Sequence, residues 1–366
     1  MSINIIVPGI QTTVQDSGRW GYQNVGMSVA GAMDLFAMRC ANILVGNDEN
    51  EACIEALMLG PTIEFEEDET IAVTGGDLSP MINSFPVNNW ESIKVKKGDK
   101  LSFKSKKSGL RAYIAFSKTL DVPVIMNSKS TFLRGNLGGF EGRKLAKGDE
   151  IKLGAKSNSI GRVRIAEKYI PKYSRQEEIR FIFGPQDDAF TDEAKTTLQA
   201  DFYTITAESD RMGFRLDGAK IEHKNSADII SDGIVFGSIQ VPSHGSPIVM
   251  MADRQTTGGY TKIGTVITPD LQKLAQMDPG SKVRFKSVSV EEAQEIYVNY
   301  EKTFAQIKDS LVKLDFEPAQ KPQAEAKVQA NLKSDYAPWK PTGENNYTLD
   351  FNKGQNIQIS IKQIGK

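Results

Sequence analysis

The sequence predicts a mainly β protein with a few short helices, and three observations carry that expectation. Short runs rich in Val, Ile, Phe and Thr recur along most of the chain, separated by Gly-Asp and Pro-Gly turns. One turn element repeats three times: Val95-Lys-Lys-Gly98-Asp99 precedes Leu101-Ser-Phe103, Leu145-Ala-Lys-Gly148-Asp149 precedes Ile151-Lys-Leu153, and Met277-Asp-Pro-Gly280-Ser281 precedes Val283-Arg-Phe285. Each is a Gly-centred turn feeding an alternating strand, as where barrel strands meet at a rim. Helix signal is confined to a few places.

In chain order, Asp34 caps a helix running to about Val45, where Gly46-Asn47 stops it. A short helix is expected over 50–57, and Thr191 caps another through Leu198. The last helix is expected over 290–314. The apolar run Ile248-Val249-Met250-Met251-Ala252 reads as a strand buried on both faces, too short to cross a membrane. Gly60-Pro61 after the first helices is echoed by Gly184-Pro185 after Phe181-Ile182-Phe183. Beyond Leu314 the composition shifts: residues 317–333 carry two prolines and no aromatics and read as a disordered linker. Strand character returns over 347–351 and 357–361, joined by a turn at Lys353-Gly354.

The chain has 366 residues, enough for two domains with a core each. Its net charge of −1, with 25% charged and 39% hydrophobic residues, gives no overall basic excess to attract nucleic acid or membrane. The start, MSINIIVPGIQ, lacks the basic region of a signal peptide, and no run of about 18 apolar residues marks a spanning helix. Cys40 and Cys53 are the only cysteines; both are placed in helical stretches as small buried hydrophobes, and a cytoplasmic location is expected.

Several chemistries lack their residues. GxxxxGKS/T, CxxC, HExxH and GxSxG are absent, and His223 and His244 are the only histidines. A dedicated transition-metal site is therefore not expected. Ser310-Leu-Val-Lys313 matches a Ser-x-x-Lys pattern by chance on a plain helix. The glycine-serine signature of amidases and an Ala-Met-Lys-Met biotinylation site are also missing.

Two segments stand out. Asp253-Arg254-Gln255-Thr256-Thr257, then Gly258-Gly259-Tyr260, follow the buried strand directly. Desolvating such groups without partners costs about 1–3 kcal/mol each, so a fold that gathers them there has a polar ligand to bind. Arginine forks a carboxylate or a phosphoryl group through two oxygens at once. The competing reading is a β-bulge with Arg254 salt-bridged to Asp253 on a surface loop. Near the start, Thr13, Gln15, Asp16 and Arg19 repeat the same mix of groups beside Gly18 and Gly21. There the alternative is an Asx-turn at Asp16 with Arg19 in solvent. Ser209-Asp210-Arg211-Met212-Gly213 is open between structural turn and ligand contact. The glycine cluster over 134–143 reads as a rim loop, and His244 is the general-base candidate among the histidines.

PGIQTTVQDSGRWGY, GAMD, LVGN, LGP, STFLRG, LGGFEGR, FGPQDDAF, SDRMGFRLDG, IQVPSHGSPI and ADRQTTGGY occur in order from about residue 7 to residue 290. Together they resemble the 5-oxoprolinase C-subunit family, also called the Kip antagonist, allophanate hydrolase subunit 2 or biotin-dependent carboxyltransferase family. The resemblance implies two tandem cyclophilin-like β-barrels. On that basis residues 1–172 form the first barrel and residues 173–314 the second, ending in a helix. Residues 315–345 are the disordered linker and residues 346–366 a short β-hairpin tail.

The resemblance further implies one member of a three-part enzyme. With the Kip inhibitor-like B subunit and the A subunit it would open 5-oxoproline to glutamate at the expense of ATP. ATP and Mg would be shared with those partners. On this reading Arg254 and Asp16 are catalytic, and Thr13, Gln15, Arg19, Arg211, Gln240, Gln255, Thr256, Thr257 and Tyr260 bind substrate. The alternatives are the carboxyltransferase of a biotin-dependent, urea-type enzyme, with biotin as cofactor, and a non-catalytic regulator that antagonises a kinase inhibitor.

Overall fold

Gly98, Gly148 and Gly280 sit at φ of 85°, 90° and 85°, so all three repeated turns take the left-handed conformation that favours glycine. Each feeds a strand as expected: Lys100–Phe103, Glu150–Lys156 and Lys282–Ser287. The computed structural model describes residues 2–156, 160–314, 339–343, 346–350 and 356–360. By contacts the chain divides into two units, Met1–Asp315 and Phe316–Lys366.

In the N-terminal half the strands form two sheets. A seven-stranded sheet runs in the order Lys118–Leu120, Glu150–Lys156, Ser2–Val7, Thr62–Phe65, Lys100–Phe103, Pro80–Ile82 and Phe85–Pro86. A five-stranded sheet runs Gln11–Gln15, Cys53–Leu57, Ser108–Phe116, Glu69–Asp77 and Ser92–Val95. Ile3, Ile5, Val14, Ile54, Phe65, Val73 and Ile114 belong to one buried cluster between them. In the C-terminal half a seven-stranded barrel closes, because Gln176–Phe183 pairs antiparallel with Lys262–Val266 and parallel with Lys282–Ser287. Closure removes the free sheet edges.

Helix α1 (Leu35–Val45) begins at Asp34, whose carboxylate accepts from the Ala37 N–H, and ends at Gly46 in the left-handed region. Helix α2 (Asp192–Ala200) is capped by Thr191 in the same way. Helix α3 (Thr268–Ala275) was not expected from the sequence; a proline in its first turn starts it, and Leu271, Leu274 and Ala275 pack into the barrel core. Helix α4 (Val290–Asp309) stops short of residue 314, and Val312–Lys313 instead pairs antiparallel with Val163–Arg164.

The expected helix over 50–57 is corrected to the strand Cys53–Leu57. It lies between Gln11–Gln15 and Ser108–Phe116, with Cys53 through Ala56 buried, so no period-2 alternation shows in its sequence. Cys53 is thus a strand residue, while Cys40 lies in α1; both thiols are buried and free, and burial pushes both pKa values up.

Phe304 and Ile307 of α4 return to the N-terminal half and join Phe36, Cys40 and Leu44 of α1 in a third cluster. Arg39 fastens this contact with two bonds to Glu301 at 2.8 and 2.9 Å, its guanidinium 3.4 Å from the Phe304 ring centre. No helix among the described residues is long and apolar enough to cross a membrane.

In the second unit, Asn346–Asp350 pairs antiparallel with Asn356–Ser360, and Trp339–Gly343 adds a third strand from within the range expected to be linker. The rest of that linker, 315–338 and 344–345, and residues 351 and 361 of the two tail strands, lie outside the described residues.

Candidate functional site

Gln11–Gln15 is the edge strand of its sheet, paired with Cys53–Leu57 so that Thr13 lies opposite Glu55. Thr13 and Gln15 are buried; the Gln15 amide donates to Thr13 Oγ1 at 3.0 Å and to the Thr131 carbonyl at 3.1 Å. Its Oε1 is buried with no hydrogen-bond partner. Asp16 accepts from the Gly18 N–H at 2.8 Å, the Ser128 hydroxyl at 2.8 Å, the Lys129 N–H at 2.6 Å and the Ser130 hydroxyl. The Asx-turn geometry is present, and the carboxylate also pins the 128–130 loop.

Arg19 is not solvated: its exposure is 0%. Nε donates to the Ile125 carbonyl at 3.0 Å and Nη2 to that of Ser130 at 2.7 Å, while Nη1 is buried without a partner. Burial lowers its pKa, and the nearby charges of Asp16 and Asp253 oppose that. Gly138 lets the glycine loop close over it, since a Cβ there would lie 2.6 Å from Arg19 Nη2 and 2.0 Å from the Ser130 carbonyl oxygen. In that loop Arg143 pairs with Asp149 and Glu141, the behaviour of a rim loop.

The second segment leaves the barrel strand Ile248–Met250 and turns through buried Asp253 and Arg254. Arg254 is not salt-bridged to Asp253. Its guanidinium reaches only backbone carbonyls, those of Ile234 and Met251 at 3.3 Å and Ala252 at 3.4 Å, and lies 5.4 Å from the Phe236 ring centre. Burial pushes its pKa down to about 10, with Asp253 opposing. Gln240, 3% exposed on the barrel strand Ser238–Gln240, carries a buried Nε2 with no partner, and Gln255 a buried Oε1 with none. Thr256 is half-buried, and its carbonyl accepts from the Ile234 N–H at 2.9 Å. Thr257 and Tyr260 are exposed on a ribbon, Thr257–Tyr260 paired with Asp228–Gly233.

The two segments meet. The Ser28 hydroxyl donates to the Arg254 carbonyl at 2.8 Å, and Arg19 N–H bonds the Val29 carbonyl at 2.7 Å, so residues 28–29 run between the two arginines. Arg211 completes the join: Nη1 bonds Glu55 at 2.5 Å, Nε and Nη2 bond Asp253 at 3.0 and 2.8 Å, and Nη2 also bonds the Gly31 carbonyl at 2.6 Å. Burial works against its charge, but Asp253 and Glu55 outweigh it and raise the pKa. These bonds turn Arg211 toward the protein, as a clamp between the segments. Its own turn is structural, with Asp210 accepting from the Met212 N–H at 2.8 Å.

Residues the sequence reading passed over support this join. Glu55 also accepts from the Met33 N–H at 2.9 Å and the Tyr113 hydroxyl at 2.7 Å. Gln276 of the C-terminal half donates to Asp34 at 2.7 Å and accepts from the N–H groups of Leu110 and Arg111 at 2.8 and 2.9 Å. A carboxylate inside the apolar run Cys53-Ile-Glu-Ala-Leu57 was the visible signal. His244 lies exposed on a turn away from these bonds, and His223 Nε2 is held by the Val241 carbonyl and the Thr261 hydroxyl.

Chemically, the arrangement presents two buried guanidiniums, Arg19 and Arg254, neither with a carboxylate at ion-pair distance among the described residues. Four buried amide or guanidinium atoms around them lack partners. Such a set is chemically suited to a polar or anionic ligand, because the desolvation has already been incurred. Among the described residues no group of three or more His, Cys, Asp or Glu side chains is placed to hold a metal ion.

The fold is that of a mainly β protein in which segments of the two halves bring buried arginines and glutamines together. Residues 25–287 match the model of the carboxyltransferase domain, subdomains A and B. The chain is 35% identical to the 5-oxoprolinase C subunit of Escherichia coli (strain K12), covering 83% of this chain and 97% of that protein. It is 38% identical to the 5-oxoprolinase C subunit of Haemophilus influenzae over 80% of this chain and 94% of that one. The crystal structure of Kluyveromyces lactis urea carboxylase superposes with a TM-score of 0.80 and 27% identity over 96% of this chain, which spans 33% of that longer protein. This chain belongs to the 5-oxoprolinase C-subunit family of carboxyltransferase-type proteins.

Proposed function

We propose that this chain is the C subunit of an ATP-dependent 5-oxoprolinase, inactive alone and completed by the A and B subunits. The observation that carries the reading is its 35% and 38% identity to two 5-oxoprolinase C subunits across nearly their whole length. The site chemistry is compatible. A lactam carbonyl is a poor electrophile, and activation at its oxygen requires donors that hold developing negative charge. Arg254 and Arg19 supply such donors, and Gln15, Gln240 and Gln255 supply neutral contacts. Asp16, saturated by four donors, holds the 128–130 loop against Arg19.

ATP and Mg would be shared with the partner subunits. The assembled complex would act in the cytoplasm. The second reading, carboxyl transfer from biotin in a urea-type enzyme, is favoured by the carboxyltransferase domain match. A non-catalytic regulator that antagonises a kinase inhibitor is the third.

Reconstitution separates them. Mixing this chain with the purified A and B subunits should yield glutamate from 5-oxoproline and ATP, with no activity when any one of the three is omitted. Carboxylation of urea with a biotinyl carrier, and no lactam opening, would transfer the chain to the second reading; neither activity would leave the regulator.

A further inference from the structure

The ribbon of Asp228–Gly233 and Thr257–Tyr260 forms a two-stranded sheet of its own, outside the ladder that closes the barrel. Two strands alone are marginal in water, so further contacts must hold them in place. Its outer strand is exposed at every residue but Ile229. The inner strand lies on the barrel: a Cβ at Gly258 would come 2.7 Å from Gln240 Nε2. Gln240 in turn pairs in register with Lys262 on the neighbouring barrel strand. Arg254 Nε bonds the carbonyl of Ile234, the residue after the outer strand, at 3.3 Å.

Among the described residues, Asp232 is the one ribbon side chain with hydrogen bonds beyond the ribbon. Its Oδ2 accepts from Lys262 Nζ at 2.7 Å and from Gln186 Nε2 at 2.9 Å. The Lys262 side chain is 2% exposed and that of Asp232 49%. The bonds from Lys262 and Gln186, with the Gly233 N–H, hold the Asp232 carboxyl down at about 2, so the pair stays charged near neutral pH. Other features favour release. Gln240 Nε2 and Gln255 Oε1 are buried without partners while the ribbon is down, a cost that lifting it relieves as water reaches them. Gly233 and Gly259 are not in the left-handed region; a Cβ would meet nothing within 4 Å at Gly233 and one atom at 3.6 Å at Gly259. Neither backbone angle nor space requires glycine there in this conformation, whereas a strand that must bend does use it.

We infer that the ribbon is a strap that lifts from Arg254, Gln240 and Lys262, with the Asp232–Lys262 ion pair as its latch. Both ends of both strands run on into the chain, so it rises as an arch and does not swing as a free hairpin. Lifting uncovers two cations and an amide donor together. The test of the strap does not depend on which ligand the site takes.

Hydrogen–deuterium exchange of the full chain reads the lifting, on peptides from the ribbon and from the barrel strands Gln176–Phe183 and Ile248–Met250. Phenylglyoxal labelling of Arg254, mapped by mass spectrometry, reads the uncovering. Asp232→Ala and Lys262→Met each cut the latch, Gly258→Ala wedges the ribbon off Gln240, and Gly233→Ala stiffens it where there is room. Cutting the latch should raise ribbon exchange and Arg254 labelling together, about tenfold, as for loss of one charge-assisted bond. The two latch changes combined should add nothing to either alone. Gly258→Ala should raise both signals and Gly233→Ala lower them. Barrel exchange and melting temperature should not move. Raised salt should loosen the parent and leave the latch variants unaffected, because the pair is half exposed.

Faster ribbon exchange with Arg254 still protected would mean fraying that uncovers nothing, and overturns the strap. A matching rise in the barrel strands, or a lower melting temperature, would make the ion pair a brace of the fold and overturns it equally. Unchanged exchange in Asp232→Ala, whose site is half exposed and tolerant of truncation, removes the latch even if Lys262→Met does not fold.

Discussion

Arg211 Nη1 bonds Glu55 Oε1 at 2.5 Å across 156 positions of sequence, with both side chains almost wholly buried. Glu55 stands within the N-terminal five-stranded sheet and Arg211 beside the C-terminal barrel. Because Arg211 also forks Asp253, the residue before Arg254, this pair sets where the Arg254 turn lies against the Arg19 loop. Arg211 is thus one of the links that join the two halves at the site, beside Ser28 and Gln276.

Removing that guanidinium leaves two buried carboxylates facing each other's field. Arg211→Met should lower unfolding free energy by about 3–5 kcal/mol, the usual loss when one partner of a buried pair is deleted. Adding Glu55→Gln and Asp253→Asn should recover part of it, since neither carboxylate is then charged, while buried Arg111, 3.9 Å from Glu55, loses its partner and keeps the recovery incomplete. Denaturant unfolding of both variants checks this; a triple variant no more stable than the single would remove the ion network as the cause.

These positions show what the sequence made legible. Helix α1 was readable because Asp34 and Gly46 act within one turn of its ends. Strand Cys53–Leu57 was misread because a strand buried on both faces loses its alternation, and helix α3 was missed because its eight residues show too little period. The two polar segments were visible as local anomalies. That they meet, and that Arg211 is spent on joining them, depends on Glu55, Ser28 and Gly31, far away in sequence.

A second prediction concerns pH. Burial pushes the Asp34 carboxyl up to about 6, against bonds from Ala37, Gln276 and Tyr173 that favour its charge; Glu55 adds to the rise. A carboxyl whose folded pKa exceeds its unfolded one contributes stability below the unfolded value and loses it as pH rises through the folded one. Between about pH 4 and pH 6 the chain should lose on the order of 3 kcal/mol through this group. Asp34→Asn keeps an oxygen for the Ala37 cap and cannot ionise. Subtracting its stability-against-pH curve from that of the parent isolates this group from Asp253 and Glu177, whose pKa values burial also raises. A flat difference curve would rule out ionisation of Asp34 in this range.

A third prediction concerns the C-terminus. Leu314 N–H bonds the Arg162 carbonyl at 2.9 Å, and Val312–Lys313 pairs with Val163–Arg164, so the first unit is tied down as far as Leu314. Truncation after Leu314 should shift the melting temperature by only a few degrees, about 1 kcal/mol or less for a protein this size. Truncation after Asp309 strips the strand pair as well and should cost about 1–2 kcal/mol more, from lost buried hydrogen bonds. Calorimetry of both forms decides, and equal melting temperatures would show that the strand pair adds nothing.

The last prediction sets stability against function at Arg254. Its guanidinium is buried against carbonyls at 3.3–3.4 Å with no carboxylate paired to it, and burial lowers its pKa to about 10. A charge held so weakly stabilises the fold little, and an apolar chain of similar length fills the same space. Arg254→Met should therefore change unfolding free energy by no more than about 1 kcal/mol. If the fork holds charge that develops on the ligand, the same variant should lose about 2–4 kcal/mol of transition-state stabilisation in kcat/KM of the complex. Arg254→Lys keeps the charge without the two-pronged geometry and should recover little of that loss. Equilibrium unfolding of the chain, gel filtration of the complex and steady-state kinetics are the three readouts. Full activity with weakened assembly would move Arg254 from the ligand to the interface with its partners. Full activity with intact assembly would leave the buried guanidinium without a ligand to explain it.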